Sequence, residues 1–414
     1  MQLRPHQQRA FAAMQSNNAG QIIVPTGGGK TYIMIADTYK HLRDCGPQTI
    51  VVVAPRILLA NQLCEEFMEH IHHRDVHVCH AHSGETHHFS TTKADKIALF
   101  NNTARTAGEN CIIFTTYHSL HRVVESGINI DTIYFDEAHN GCGKHFFISV
   151  FATAQYAKRR YYFTATPKTG RGVSVQRGMN NTDVWGGVLC NVPAKELIEA
   201  GAIVPPRVVP FETNRTRNKV NAHEVDAENL KDMFEQLDVF QNPKVLVAAP
   251  SSKVLGNMLG HTDILEYFYK KGYDVMHITS KFGAIINDKK VGREEFFTTL
   301  QSWGADDTKK FVIFHYSILS EGINVPGLTH TILLRNLPIV EMAQTIGRVI
   351  RVHKDDRAAV AEGRIPAGAF HLYKKQEGVV TMPTGYKMGN AIAARLQNVV
   401  NQIFLEGIPP LAYC

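Results

Sequence analysis

Residues 25–31, Pro25, Thr26, Gly27, Gly28, Gly29, Lys30 and Thr31, carry the clearest chemistry in this chain. Successive glycines reach backbone angles closed to other residues, so neighbouring amides can turn together onto phosphate oxygens. A helix predicted to begin near Thr31 adds the positive end of its dipole behind them. Lys30 would then reach the β and γ phosphates of a nucleotide, and the Thr31 hydroxyl would hold Mg²⁺. The bland reading is a glycine-rich turn joining strand to helix. Against it stands the complete order of strand, loop, Gly-Lys-Thr and helix, although Pro25 sits where the strict GxxxxGK spacing has its first glycine.

A second group, Asp136-Glu137-Ala138-His139, follows the apolar run Thr132–Phe135. Two acids at a strand end can divide the work: Asp136 enters the magnesium shell while Glu137 orients and deprotonates the attacking water. An acidic turn alone is often merely a turn. Paired with the glycine-rich loop upstream, it reads as the other half of a nucleotide site, with His139 linking that site to a second lobe.

These residues need a scaffold, and the chain alternates accordingly. Short β-branched runs at 21–24, 49–55, 111–117, 132–139 and 161–167 recur between helical stretches, as in a parallel sheet covered on both faces. Gly201, Pro205 and Pro206 interrupt the pattern. The alternation then resumes at 244–250, 273–279, 309–316 and 329–336. Two α/β domains are expected, 1–205 and 206–360, with 361–414 as a short helical extension. Within that extension, 391–405 places Ile392, Leu396, Val399, Val400 and Ile403 on one helical face, for docking on the second domain or on a protein partner.

Composition sets the outer limits. A chain of 414 residues exceeds one usual core, and 44% apolar with 20% charged residues describes an ordinary globular protein. The net charge of +6 suits a phosphate-backbone partner. Seven cysteines without a CxxC pair point to a reducing compartment, and neither a signal peptide nor a membrane-spanning run is evident, so a soluble cytoplasmic protein is expected. The histidine-rich stretch 70–88, which includes Cys79, lacks the second paired ligand set of a structural zinc site and reads as a strand-and-loop surface. No GxSxG turn supports nucleophilic catalysis.

Taken together, the motifs resemble those of superfamily 2 helicases over nearly the whole chain to about residue 355. LRPHQ at 3–7 resembles the adenine-reading segment, which implies Gln7 as an adenine contact with Arg4 nearby. PTGGGKT resembles motif I, DEAH motif II, and FTATP at 163–167 motif III, whose Thr164 and Thr166 would couple nucleotide state to lobe movement. SEGINVP at 320–326 resembles motif V, and implies roles for Gly322 at the nucleotide and Asn324 at nucleic acid. QTIGRVIR at 344–351 resembles motif VI, which implies that Gln344, Arg348 and Arg351 act on the γ phosphate from the opposite lobe. A guanidinium stabilises negative charge as it shifts across the phosphoryl oxygens, and such a finger is worth roughly 10³ to 10⁵ in rate.

The same resemblance implies two tandem RecA-like domains, ATP with Mg²⁺ as cofactors, and nucleic-acid contacts at Arg56, Thr116, Tyr117, Ser251 and Lys253. The ending GRVIR and the connector LIEAGAIVPPR at 197–207 are similar to the group holding XPB, UvsW-type phage helicases and restriction-enzyme motor subunits. Double-stranded or branched DNA is therefore the expected track. RNA, service as the motor of a separate nuclease, and a non-catalytic adaptor remain as alternatives.

Overall fold

The computed structural model describes residues 2–71, 75–84, 86–237, 241–279, 281–316, 325–385, 389–410 and 412–414. Two compact units result: Met1–Pro193 with Pro409–Cys414, and Ala194–Ile408.

Among the described residues, the first unit's segment up to Pro193 holds the strands β1 (Ala19–Ile23), β2 (Thr49–Ala54), β3 (Val76–Ala81), β4 (Phe89–Ser90), β5 (Asn110–Thr116), β6 (Thr132–Phe135), β7 (Arg159–Thr164), β8 (Lys168–Thr169) and β9 (Val188–Asn191). Eight of them form one parallel sheet in the order β4-β3-β5-β2-β6-β7-β1-β9. The central strands read as unbroken apolar runs because both faces are covered: all six residues of β2 are buried, as are the four of β6. Since β1, β7 and β6 are neighbours, the loops leaving their carboxyl ends gather the glycine-rich loop, DEAH and FTATP along one edge. Parallel α/β sheets bind ligands at such edges.

The second unit holds β10 (Pro206–Thr213), β11 (Lys244–Ala248), β12 (Asp274–Thr279), β13 (Gly283–Ile286), β14 (Lys289–Val291), β15 (Phe311–His315), β16 (His330–Leu333) and β17 (Gly378–Gly385), in the order β10-β17-β16-β11-β15-β12-β13-β14. All pairs are parallel except β12–β13 and β13–β14. Val245, Val247, Val312 and Phe314 of the sheet pack with Phe234 and Phe268 in its core.

Three features bear on the expected layout. β10 begins at Pro206, where a break was anticipated, and it sits at the sheet edge, where a proline's missing amide costs no ladder bond. The region 361–414 contributes β17 to the sheet as well as the helix Gly389–Val400, whose Leu396, Val399 and Val400 are buried. The side chain of Ile392 lies outside the described residues. Finally, residues 409–414 return to the first unit, where β18 (Ala412–Tyr413) pairs with β8 and the Arg171 guanidinium lies 3.9 Å above the Tyr413 ring. Among the described residues, no helix is long and apolar enough to cross a membrane.

Candidate nucleotide and nucleic-acid sites

In the first unit the glycine-rich loop leaves β1 and turns into the helix Lys30–Asp44. Gly27 and Gly29 both adopt positive φ, at 88° and 77°, which L side chains enter only with strain. Space closes off the same position: a Cβ on Gly29 would lie 2.4 Å from Gln7 Nε2. That amide donates to the carbonyls of Gly28 at 3.3 Å and Gly29 at 3.2 Å, while Gln7 Oε1 accepts from the Arg4 backbone amide at 2.9 Å. His6 adds a 2.8 Å bond from Nε2 to Gly28 O, a contact that the sequence reading did not single out. The LRPHQ segment thus braces the phosphate loop from behind.

Lys30 reaches across to DEAH, with Nζ donating to Glu137 Oε1 at 3.0 Å. Asp136 is buried, and burial followed by the neighbouring Glu137 carboxylate raises its carboxyl to about 7. Glu137 itself stands in the left-handed region with φ 46° and ψ 53°, unusual for a residue with a side chain. His139 Nδ1 lies 3.0 Å from Thr164 Oγ1 and 3.4 Å from Thr166 Oγ1, so motif II meets motif III directly. Burial lowers His139 to about 4 and keeps its ring neutral. A hydroxyl at Thr31 and a carboxylate at Asp136 are the hard oxygen donors that Mg²⁺ prefers, and a dication beside two crowded carboxylates would relieve their repulsion.

Two of the expected nucleic-acid contacts are buried in the structure. Tyr117 is buried, and its hydroxyl donates to the Asp136 carbonyl at 2.9 Å. That bond ties the start of DEAH to the core. Thr116 is likewise buried, with its hydroxyl accepting from the Ser119 amide at 3.3 Å. Arg56, by contrast, is exposed at the N-terminus of the helix Ile57–His70.

Behind the phosphate loop lies a charge network that the sequence reading missed. Asp37, fully buried, accepts two bonds from Arg159 (2.8 and 3.0 Å), one from Tyr134 (2.6 Å) and one from Gln15 (2.6 Å). It fastens the helix behind the loop to β6 and β7, the strands that carry DEAH and FTATP. In the histidine-rich stretch, His80 and His82 bond to each other at 2.9 Å, and His82 lies 3.1 Å from Asn61 Oδ1.

In the second unit, the helix Ile339–Val349 carries Gln344 and Arg348, both buried, with Arg351 just beyond its end. His315, at the end of β15, is also buried, and among the described residues neither of its ring nitrogens has a hydrogen-bond partner. Burial, reinforced by Arg348 and Arg335, lowers it to about 3. Ser251 caps the helix Ser252–His261 by accepting from the Val254 amide at 3.1 Å, and Lys253 is exposed on its first turn. Gly322 and Asn324 fall outside the described residues.

A family model described as "Type III restriction enzyme, res subunit" matches residues 1–169. No curated protein matches the chain. Among solved structures, the ATP-dependent Type ISP restriction-modification enzyme LlaBIII bound to DNA superposes with a TM-score of 0.72 at 15% identity, covering 100% of this chain and 31% of that one. S. cerevisiae Dbp5 bound to RNA and ADP BeF3 gives 0.59 at 14%, covering 100% and 90%. The Pyrococcus furiosus Hef helicase domain gives 0.55 at 13%, covering 95% and 99%. The chain therefore spans about a third of the length of the restriction enzyme it matches. Its two mostly parallel sheets match tandem RecA-like helicase domains.

Proposed function

From this superfamily 2 helicase-like, Res-subunit-like chain, we propose an ATP-driven motor that moves along or remodels double-stranded or branched DNA. The observation that carries the reading is the 3.0 Å bond between Lys30 of the phosphate loop and Glu137 of DEAH. A cation that neutralises phosphate and a base that activates water are thereby held at one point, which hydrolysis of a triphosphate requires.

In the proposed reaction, amides of residues 27–30 cradle the phosphates, Gln7 reads the adenine, and Glu137 takes the proton of the attacking water. Thr31 and Asp136 would hold Mg²⁺, which supplies charge neutralisation of the phosphates. Arg348 and Arg351, supported by Gln344, stabilise the transferring phosphoryl group. His139, Thr164 and Thr166 transmit nucleotide state through their mutual bonds. Arg56, Ser251 and Lys253 hold the nucleic-acid backbone, joined by Asn324, and Gly322 approaches the nucleotide. The Res-subunit match and the DNA-bound restriction enzyme favour DNA over RNA.

The test is ATPase activity measured with single-stranded, duplex and forked DNA and with matching RNAs. Duplex or forked DNA should stimulate most, and Lys30→Ala or Glu137→Ala should abolish turnover. Arg56→Ala should weaken stimulation and reduce the salt slope by about one. Full turnover in Glu137→Ala would remove it as the general base, and stimulation by RNA alone would reassign the track.

A further inference from the structure

Lys375 lies between the helix Lys354–Ala361 and β17, and its residue is only 8% exposed. The Nζ donates to two backbone carbonyls, Leu328 at 2.6 Å and Arg351 at 2.8 Å. The first acceptor precedes β16, just after the segment that resembles motif V, and the second belongs to the last arginine of the segment that resembles motif VI. One amine therefore joins the backbones of two segments that sequence reasoning treats separately.

The peptide carrying Lys375 is itself anchored. Asp356 accepts from the amides of Lys374 at 2.8 Å and Lys375 at 3.1 Å, one carboxylate oxygen to each. Two further contacts close on the same turn of chain. The Val204 amide donates to Ile350 O at 2.8 Å, and β17 approaches so closely that a Cβ on Gly378 would lie 2.5 Å from Val349 O. The carbonyls of Ile350 and Arg351 are thus each held by a hydrogen bond from a different part of the unit, and that of Val349 is closely approached by β17.

A lysine is a costly choice here. Burial, and after it the Arg351 guanidinium, pushes its ammonium down to about 7, with Asp356 opposing. An apolar side chain would avoid that cost, yet it could not satisfy two buried carbonyls. The amine keeps enough N–H donors for both acceptors whether or not it carries the extra proton.

We propose that Lys375 is a positioning residue, which locks the Arg351 backbone to that of Leu328 so that the guanidinium groups of Arg348 and Arg351 present one orientation to the transferring phosphoryl group. The inference rests on the ATPase reading above. It assigns a role to a residue beyond the motifs, acting only through those arginines.

The experiment compares wild type with Lys375→Met in the full chain. Steady-state ATPase gives kcat and KM, and binding of ADP alone is set against ADP with aluminium fluoride, a mimic of the phosphoryl group in flight. Lys375→Met should lower kcat between about tenfold and a hundredfold with KM changed less than about twofold. It should weaken the aluminium fluoride complex by about tenfold or more while leaving ADP affinity within about twofold. Unchanged kcat, or an equal loss of affinity for both ligands, overturns the proposal. Should Lys375→Met fail to fold, Asp356→Asn, which loosens the seat and keeps the lysine, enters the same two measurements with the same expected pattern. A wild type without Lys30-dependent ATPase defeats the functional reading and this inference with it, whereas a working ATPase indifferent to Lys375 and Asp356 defeats this inference alone.

Discussion

Acid should unfold the second unit before the first, and the buried histidines allow the difference to be worked out. His80 and His139 in the first unit and His315 and His330 in the second are each at most 3% exposed. Burial lowers them to about 3, 4, 3 and 3, against an ordinary value near 6.5. A depressed value means that the unfolded chain takes up the proton first. The stability gained from keeping these rings neutral is complete above pH 6.5 and drains away as pH falls toward the folded values.

Between pH 7 and pH 5 that loss is about 2 kcal/mol per histidine, and it hardly depends on the folded value because every one lies below 5. These two pairs therefore cost each unit about 4 kcal/mol, and His82 in the first unit and His277 in the second, both lowered by burial, add a loss of the same sign to each. Asp136 works in the other direction. Its folded carboxyl, raised to about 7, binds a proton over this window while the unfolded one does not, so acidification returns about 2 kcal/mol to the first unit. Domain stabilities are typically about 5–15 kcal/mol, so a difference of about 2 is measurable.

The assay uses the chain's two tryptophans, Trp185 in the first unit's core and Trp303, which packs on Phe311 in the second. Trp303→Phe leaves a reporter of the first unit and Trp185→Phe a reporter of the second. Urea midpoints at pH 7, 6 and 5 should fall for both, and more steeply for the Trp303 reporter. Midpoints that do not move between pH 7 and 5, or a steeper fall in the Trp185 reporter, would refute the reasoning.

Two further outcomes follow from the first unit. Arg159→Leu strands the fully buried Asp37 carboxylate and should cost about 3–5 kcal/mol in urea unfolding, whereas the paired change Arg159→Leu/Asp37→Leu should recover much of it. Gly29→Ala must enter a left-handed angle and displace the Gln7 amide, so it should weaken binding of a fluorescent ATP analogue by about tenfold or more, read by titration, with a strain cost of about 1–2 kcal/mol.

The parts of the molecule that were legible in the sequence are those whose chemistry is contiguous. PTGGGKT and DEAH each concentrate donors, acids and turn residues within a few positions, and the apolar runs around them announce buried parallel strands. Asp37 and Arg159 were opaque because neither means anything until the fold brings residues 122 apart within 2.8 Å. Lys375 reads as one more charge in a lysine pair, since its two acceptors are backbone carbonyls, which every residue possesses. Tyr117 follows a strand as a nucleic-acid contact might, yet in the fold its ring packs with Phe135 and Phe146 and its hydroxyl meets the Asp136 carbonyl, partners the sequence does not place beside it. β3 is masked by its histidines. His80 is buried there because it stacks on Phe114 and bonds to His82, a use of histidine that polarity alone argues against.

The left-handed backbone at Glu137 has a consequence for anyone who redesigns this chain. The position favours glycine or asparagine on conformational grounds, and it also holds a carboxylate next to another one. Relaxing either tension would make a sturdier protein, and on the ATPase reading proposed above a poorer catalyst, so a search guided by thermal tolerance alone would drift toward losing the carboxylate to which that reading gives the activation of water.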